Sequence, residues 1–272
     1  MDVLDLWVNL VTPQSAAHFL GQAENAHIPG YLGGDGSDGV GIDQLLGLMD
    51  SLGVQTGVLT PGIVKGNGVE QSLEIADAHP GRFLVAAVVV DPGQPTKNVR
   101  RIREYAQHER FCMVRVAPLT SQVPTNDAKH YPVYQACEEL GIPVAINVGI
   151  PGPRVRSRVQ HPELLEDVMI DFPDLVIIGA HMGHPYEELL MNYMRKWPNL
   201  YLSCTAYAPR YMDPNLVQFM NSKTYRGRVL WGSDEPWFPM TRSLAEAKAL
   251  PLDEEAMALF LGGTARRLLT RS

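Results

Sequence analysis

An imidazole and a carboxylate able to exchange protons stand in two short phrases, His181 in GAHMGHP and Asp234 in WGSDEP. Paired, such groups move protons near neutral pH, because the carboxylate fixes the imidazole tautomer and stabilises its charged form. Asp234 is also of the right type to cap the turn that follows it. Two carboxamides, Asn9 in LWVNL and Asn147 in PVAINVG, offer N–H donors to a substrate carboxylate or carbonyl; the alternative is that they only fill space. Arg115 in MVRVAP either grips a substrate carboxylate through its planar fork or pairs with a structural acid. Trp7, Tyr207, Trp237 and Phe238 supply aromatic surface, for a ring-shaped substrate or for the core.

These residues gain meaning from the elements that carry them. Short apolar, β-branched runs recur at residues 3–8, 54–60, 83–90, 112–116, 143–148, 175–180, 200–204 and 229–231, each of strand length. Amphipathic windows such as IDQLLGLMDSLG, TKNVRRIREYAQH and PYEELLMNYMRKWP separate them and stop at Gly or Pro or close to one. Alternating β and α elements require a parallel sheet, and eight units in a chain of 272 residues predict a single-domain (β/α)8 barrel over residues 1–272. In that fold the C-terminal strand ends face the active site. Read in order they are Asn9, Thr60, Asp91, Arg115, Asn147, His181, Thr205 and Asp234. The longest loop-like stretch, HIPGYLGGDGSDGVG at residues 27–41, lies at the same mouth, as a lid or a plain surface loop. After the fifth strand Arg154, Arg156 and Arg158 alternate, a pattern that favours a solvated loop over an anion-recruiting one; His184 is assigned to a helix start or the surface.

Composition narrows the partners to a small molecule. A net charge of −7 spread along the chain argues against nucleic acid and anionic membranes. No apolar run approaches the ~18 to 20 residues needed to span a bilayer, and the first residues lack a basic leader, so a cytoplasmic protein is expected. Cys112, Cys137 and Cys204 are odd in number and set in apolar stretches, which fits buried thiols. A homodimer is compatible with the apolar, weakly charged chain. No dinucleotide fingerprint directly follows the first strand, and there is neither a P-loop nor a G-x-S-x-G elbow.

The phrases HPGRFLVAAVVVDP, YPVYQACEELGIPVAINVG, DFPDLVIIGAHMGHPYEELL, WPNLYLSCTAY, RVLWGSDEPW and LGGTARRLL, in this order, resemble the amidohydrolase-related family, in its aminocarboxymuconate semialdehyde and resorcylate decarboxylase branch. The resemblance implies one divalent metal held by an H-x-H pair on the first strand, a histidine ending the fifth and an aspartate ending the eighth, with a further histidine ending the sixth. Asp234 and His181 match their positions; Trp7 and Asn9 replace the pair, and Asn147 replaces the fifth-strand histidine. A tryptophan and two carboxamides are poor ligands for zinc, so no metal and no cofactor are expected, with one divalent ion such as zinc as the alternative. The expected function is a metal-independent lyase that uses His181 and Asp234 as its acid–base pair, with Asn9, Asn147, Arg115, Trp7, Tyr207 and Trp237 binding a small carboxylated or carbonyl-bearing substrate. The alternatives are a hydrolase of esters, lactones or amides, using the same pair or a metal held with His18, His27 or His184, and an inactive binding barrel.

Overall fold

The structure, a computed structural model, describes residues 2–32, 38–61, 68–89 and 91–270. Eight strands form along the eight apolar runs: β1 (Leu4–Val8), β2 (Thr56–Leu59), β3 (Phe83–Val89), β4 (Phe111–Val116), β5 (Val144–Asn147), β6 (Ile177–Ala180), β7 (Leu200–Ser203) and β8 (Val229–Leu230). Neighbours pair in parallel in chain order, with helices as the crossovers, and the result is a (β/α)8 barrel. The expected amphipathic windows are helical, among them Ile42–Leu52, Pro95–Tyr105, Tyr131–Leu140 and Glu187–Lys196.

Because strand side chains alternate between faces, one parity of each strand fills the barrel. On that parity Val58, Met113 and Ala145 join one buried cluster, and the next residues along, Thr60, Arg115 and Asn147, open into a cavity. The other parity, including Val8, Leu59, Val114, Val116 and Ile146, packs beneath the helices in the largest cluster. The polar layer at the C-terminal strand ends therefore rests on an apolar floor.

The connection after β1 is more structured than expected. Residues Ile28–Leu32 form a short helix with Ile28 buried, and Val11 and Val40 exchange backbone hydrogen bonds of 3.1 and 2.7 Å. The stretch read as a loop over residues 27–41 is thus tied down at both described ends, while its middle, residues 33–37, lies outside the described residues. Sequence pattern missed the helix because Pro29 and Gly30 read as a turn, whereas a buried Ile28 holds the segment against the barrel.

The seam between β8 and β1 depends on side chains as well as backbone. Leu6 N donates to Trp231 O at 3.3 Å, Asp234 N to Trp7 O at 2.9 Å and Asn9 N to Glu235 O at 2.9 Å. Behind them, fully buried Asp5 accepts hydrogen bonds from Trp7 N (3.0 Å), Ser233 N (2.9 Å) and Ser233 Oγ (2.6 Å). Burial raises its carboxyl to about 7 despite those three donors, which pull the other way. Replacing Asp5 by Ala orphans three buried donors at ~1 to 3 kcal/mol each, offset by removal of a buried acid. The expected net loss is about 3 kcal/mol, read as a lower midpoint of urea unfolding. An Asp5→Ala variant as stable as the parent would mean that the backbone bonds alone close the barrel.

Candidate active site

The strand ends surround a cavity of about 200 Å³, room for one ring-sized molecule. Trp7, Asn9, Thr60, Arg115, Asn147, His181, Tyr207, Asp234 and Trp237 all line it, whereas Phe238, offered for a ring-shaped substrate or for the core, is buried and does not. Most of the remaining wall is apolar, with Phe19, Ile28, Leu59 and Val148 among its residues.

Arg115 is 2% exposed, and its guanidinium lies over the Trp7 ring with its carbon 3.8 Å from the ring centroid. That stacking orients the cation without consuming its N–H groups. One hydrogen bond, from Nη1 to Thr60 O at 3.0 Å, fixes the fork, and Nε has no partner. Asp234 accepts from Asn9 Nδ2 at 2.9 Å. Burial pushes its carboxyl up to about 7, against the hydrogen bond from Asn9 and the charge of Arg115. Burial likewise brings Arg115 down to about 9, opposed by Asp234, so it remains a cation at neutral pH. Both shifts run toward neutrality, which means that desolvation outweighs the attraction between the two groups.

His181 stands edge-on to Trp7, with ring centroids 4.9 Å apart. Its Nδ1 is 2.9 Å from Thr205 Oγ1 and 3.2 Å from Thr205 O, which leaves Nε2 for a ligand. Burial and then the neighbouring Arg115 charge lower its pKa to about 4, so the ring is neutral at physiological pH. The backbone is strained here: His181 and Met182 have φ of 66° and 65°, and Asp234 has φ of 79°. Left-handed conformations at non-glycine residues are costly and gather where function requires them. Gly149, at the end of β5 with φ of 85°, is obligatory, since a Cβ there would lie 2.5 Å from the Gly183 backbone.

Several expected roles change once partners are known. No hydrogen bond joins His181 and Asp234 among the described residues; Thr205 rather than the carboxylate sets the imidazole. Both N–H groups of Asn9 are engaged, on Asp234 Oδ1 and on Glu235 O (3.0 Å), while its Oδ1 accepts from Thr60 Oγ1 at 2.8 Å. Asn9 therefore positions Asp234 instead of offering donors to a substrate. Asn147 is 3% exposed with an unpartnered Oδ1. Asp91 does not line the cavity: it accepts from Gly93 N at 2.8 Å and Gln94 Nε2 at 2.7 Å in an exposed turn.

Other residues escaped the sequence. Buried Gln160 lines the cavity, clamped to Gly149 O through Nε2 at 2.9 Å. His184, assigned to a helix start or the surface, is exposed just ahead of the helix Glu187–Lys196 as expected, but it also lines the cavity and lies 2.7 Å through Nδ1 from Oε1 of buried Glu187. Its i,i+3 spacing to Glu187 was visible, but the burial of that glutamate was not.

With this geometry in hand, comparisons with known proteins define the class. A family model for amidohydrolase matches residues 30–271, and the chain belongs to that family. No curated protein sequence matches it. Among solved structures, an uncharacterized TIM-barrel protein, Bb4693 from Bordetella bronchiseptica, shares 22% identity over 98% of both chains with a TM-score of 0.82. The 5-carboxyvanillate decarboxylase of Sphingomonas paucimobilis shares 17% identity over 100% of both, with a TM-score of 0.74. A dihydroxybenzoic acid decarboxylase from Polaromonas sp. JS666, determined with bound manganese and 2-nitroresorcinol, shares 15% identity over 98% of this chain and 96% of its own, with a TM-score of 0.73.

That last structure overturns the expectation of no cofactor, since a barrel of this fold carries a metal. The physical reason lies in the choice of ion. Loss of imidazoles argues against zinc, but manganese takes carboxylate and carbonyl oxygens. Among the described residues no group of three or more His, Cys, Asp or Glu could hold a metal. Of the cavity-lining oxygens, the Asp234 carboxylate and the unpartnered Asn147 Oδ1 are of the type that an oxygen-preferring ion takes, and these two would hold it. Manganese titrated into the protein and followed by the paramagnetic signal of the free ion should bind reversibly, with binding lost in Asp234→Ala and weakened in Asn147→Ala. Identical curves for parent and both variants would rule these donors out.

Proposed function

We propose that this chain is a decarboxylase-type lyase acting on a small planar carboxylate. The observation that carries the reading is Arg115: a buried cation, stacked on Trp7 and held by one hydrogen bond, opening into a cavity whose outer wall is largely apolar. A cation so desolvated requires an anion, and the aromatic walls suit a ring. Two solved structures of the same fold are decarboxylases of aromatic acids, which supports the same substrate class here.

In this mechanism the substrate carboxylate sits against Arg115, and the carbon that bears it faces Asp234. With its pKa near 7 the Asp234 carboxyl is substantially protonated at neutral pH, and it delivers that proton to the carbon. The C–C bond to the carboxylate then breaks, its electron pair restores conjugation in the ring, and carbon dioxide leaves. His181, neutral and oriented by Thr205, exchanges a hydrogen bond through Nε2 with a substrate group conjugated to the reacting carbon. Asn9 keeps Asp234 in place, and Trp7 keeps Arg115 in place. A divalent ion would compete with that proton, because only the ionised Asp234 carboxylate could hold it together with Asn147; when bound it would supply Lewis-acid polarisation of a substrate oxygen.

One observation favours a second reading. The His184–Glu187 contact is a carboxylate–imidazole pair at the cavity wall, an arrangement suited to activating water for hydrolysis. The non-catalytic alternative, a binding barrel, has no comparable support. The three cysteines are buried and form no disulfide among the described residues, which fits the proposed cytoplasmic setting, and no helix among the described residues is long and apolar enough to cross a membrane.

Carbon dioxide release from 2,6-dihydroxybenzoate, 5-carboxyvanillate and related ring carboxylates tests the proposal. Asp234→Asn should lower kcat by at least ~100-fold with KM little changed. Arg115→Gln should raise KM by roughly 10- to 100-fold, the loss expected for a charge-assisted contact. Release of carbon dioxide that survives both substitutions would overturn these roles, and hydrolysis of ring esters without any decarboxylation would favour the second reading.

A further inference from the structure

The segment between β5 and the helix Leu164–Asp171 borders the cavity at both its ends. Ile150, Pro151, Gly152 and Pro153 line the cavity at its start, and Gln160 at its end. Between them the side chains alternate: Arg154, Arg156 and Arg158 are exposed, while Val155 and Ser157 are partly covered and Val159 is buried. Arg154 lies in an irregular stretch, Arg156 at the start of the 3-10 turn Ser157–Gln160 and Arg158 within it, and all three side chains face solvent. The segment is anchored against the other side of the mouth, since Arg154 N donates to Glu24 O at 2.9 Å and His27 Nε2 lies 2.9 Å from Gly152 O. None of the three arginines forms an ion pair among the described residues. Elsewhere Arg82, Arg103, Arg226 and Arg242 are each matched with a carboxylate.

Three exposed cations outside any ion pair, on a segment whose two ends line the cavity, stand out in a chain of net charge −7, whose overall field repels anions. We propose that Arg154, Arg156 and Arg158 form an outer anion-capture rim that draws carboxylate ligands toward the cavity and hands them to Arg115. This rests on the reading that the cavity takes an anion. The rim acts through charge at a distance, so it accelerates entry and leaves escape of the seated ligand nearly untouched. The Debye length is ~30 Å at 0.01 M salt and ~8 Å at 0.15 M, so the effect is largest at low ionic strength.

Trp7 and Trp237 line the cavity, and their fluorescence reports its occupancy in a stopped-flow experiment. Benzoate is the anionic probe and benzamide its neutral counterpart. The association rate of benzoate should fall as salt is raised, and the triple variant Arg154→Gln, Arg156→Gln, Arg158→Gln should slow it about 5- to 10-fold at low salt. Dissociation rates and the benzamide rates should stay unchanged. The matching triple Lys variant should restore fast entry, because steering needs charge and not the guanidinium fork. If benzoate binds and the Gln variant keeps both the rate and the salt dependence, the rim is refuted while the anion site stands. Slowing of benzamide as well, or failure of the Lys variant to restore entry, would mark a structural role for the arginines and refute steering. If benzoate does not bind the parent protein at all, the anion reading of the cavity falls and the rim falls with it.

Discussion

The barrel closes where β8 meets β1, and the groups that close it also shape the cavity. Asp5, buried beneath the seam, holds Trp7 N and both donors of Ser233. Two residues past Asp5, Trp7 supports Arg115, and one residue past Ser233, Asp234 reaches Asn9. A shift of this seam by one position would turn Trp7 and Asn9 out of the barrel, because strand side chains alternate. Register at the seam is therefore also the register of the site.

Within the cavity, desolvation governs the electrostatics. Asp234 is moved toward its neutral acid, His181 toward its neutral base, and Arg115 is weakened as an acid-stable cation without losing its charge at neutral pH. A site in this state holds one cation that forms no ion pair among the described residues and one carboxyl with a proton to give. Both features are matched by an incoming carboxylate, and they oppose a cationic or purely apolar ligand. The strained backbone at His181 and Asp234 shows that the fold tolerates local cost to keep these two side chains where they are.

Much of this arrangement was legible in the chain. Apolar runs of strand length, separated by amphipathic windows, specify eight β/α units, and parity along each run specifies which residue ends up at the mouth. Seven of the eight strand-end residues so named lie at the cavity or, for Thr205, against the imidazole that lines it. Asp91 failed because a carboxylate followed by Pro-Gly caps its own turn, a local bond that outcompetes the inward direction. The choice of cofactor failed for a different reason: ligand types at matched positions were judged against zinc, while oxygen donors suit another ion.

What the sequence determined by itself was a pattern of period two and period 3.6, and with it the fold and the set of residues facing one another, while the family followed from the resemblance of its phrases. Partnership within that set was decided only by tertiary structure. Asn9 and Asp234 are separated by 225 positions, and Asp5 and Ser233 by 228, so no local signal couples them. The same holds for the burial of Glu187 beside His184 and for the loss of Asn9 as a free donor. Hydrogen bonds and desolvation act over a few ångströms in space, and only the closed barrel brings those atoms within that range.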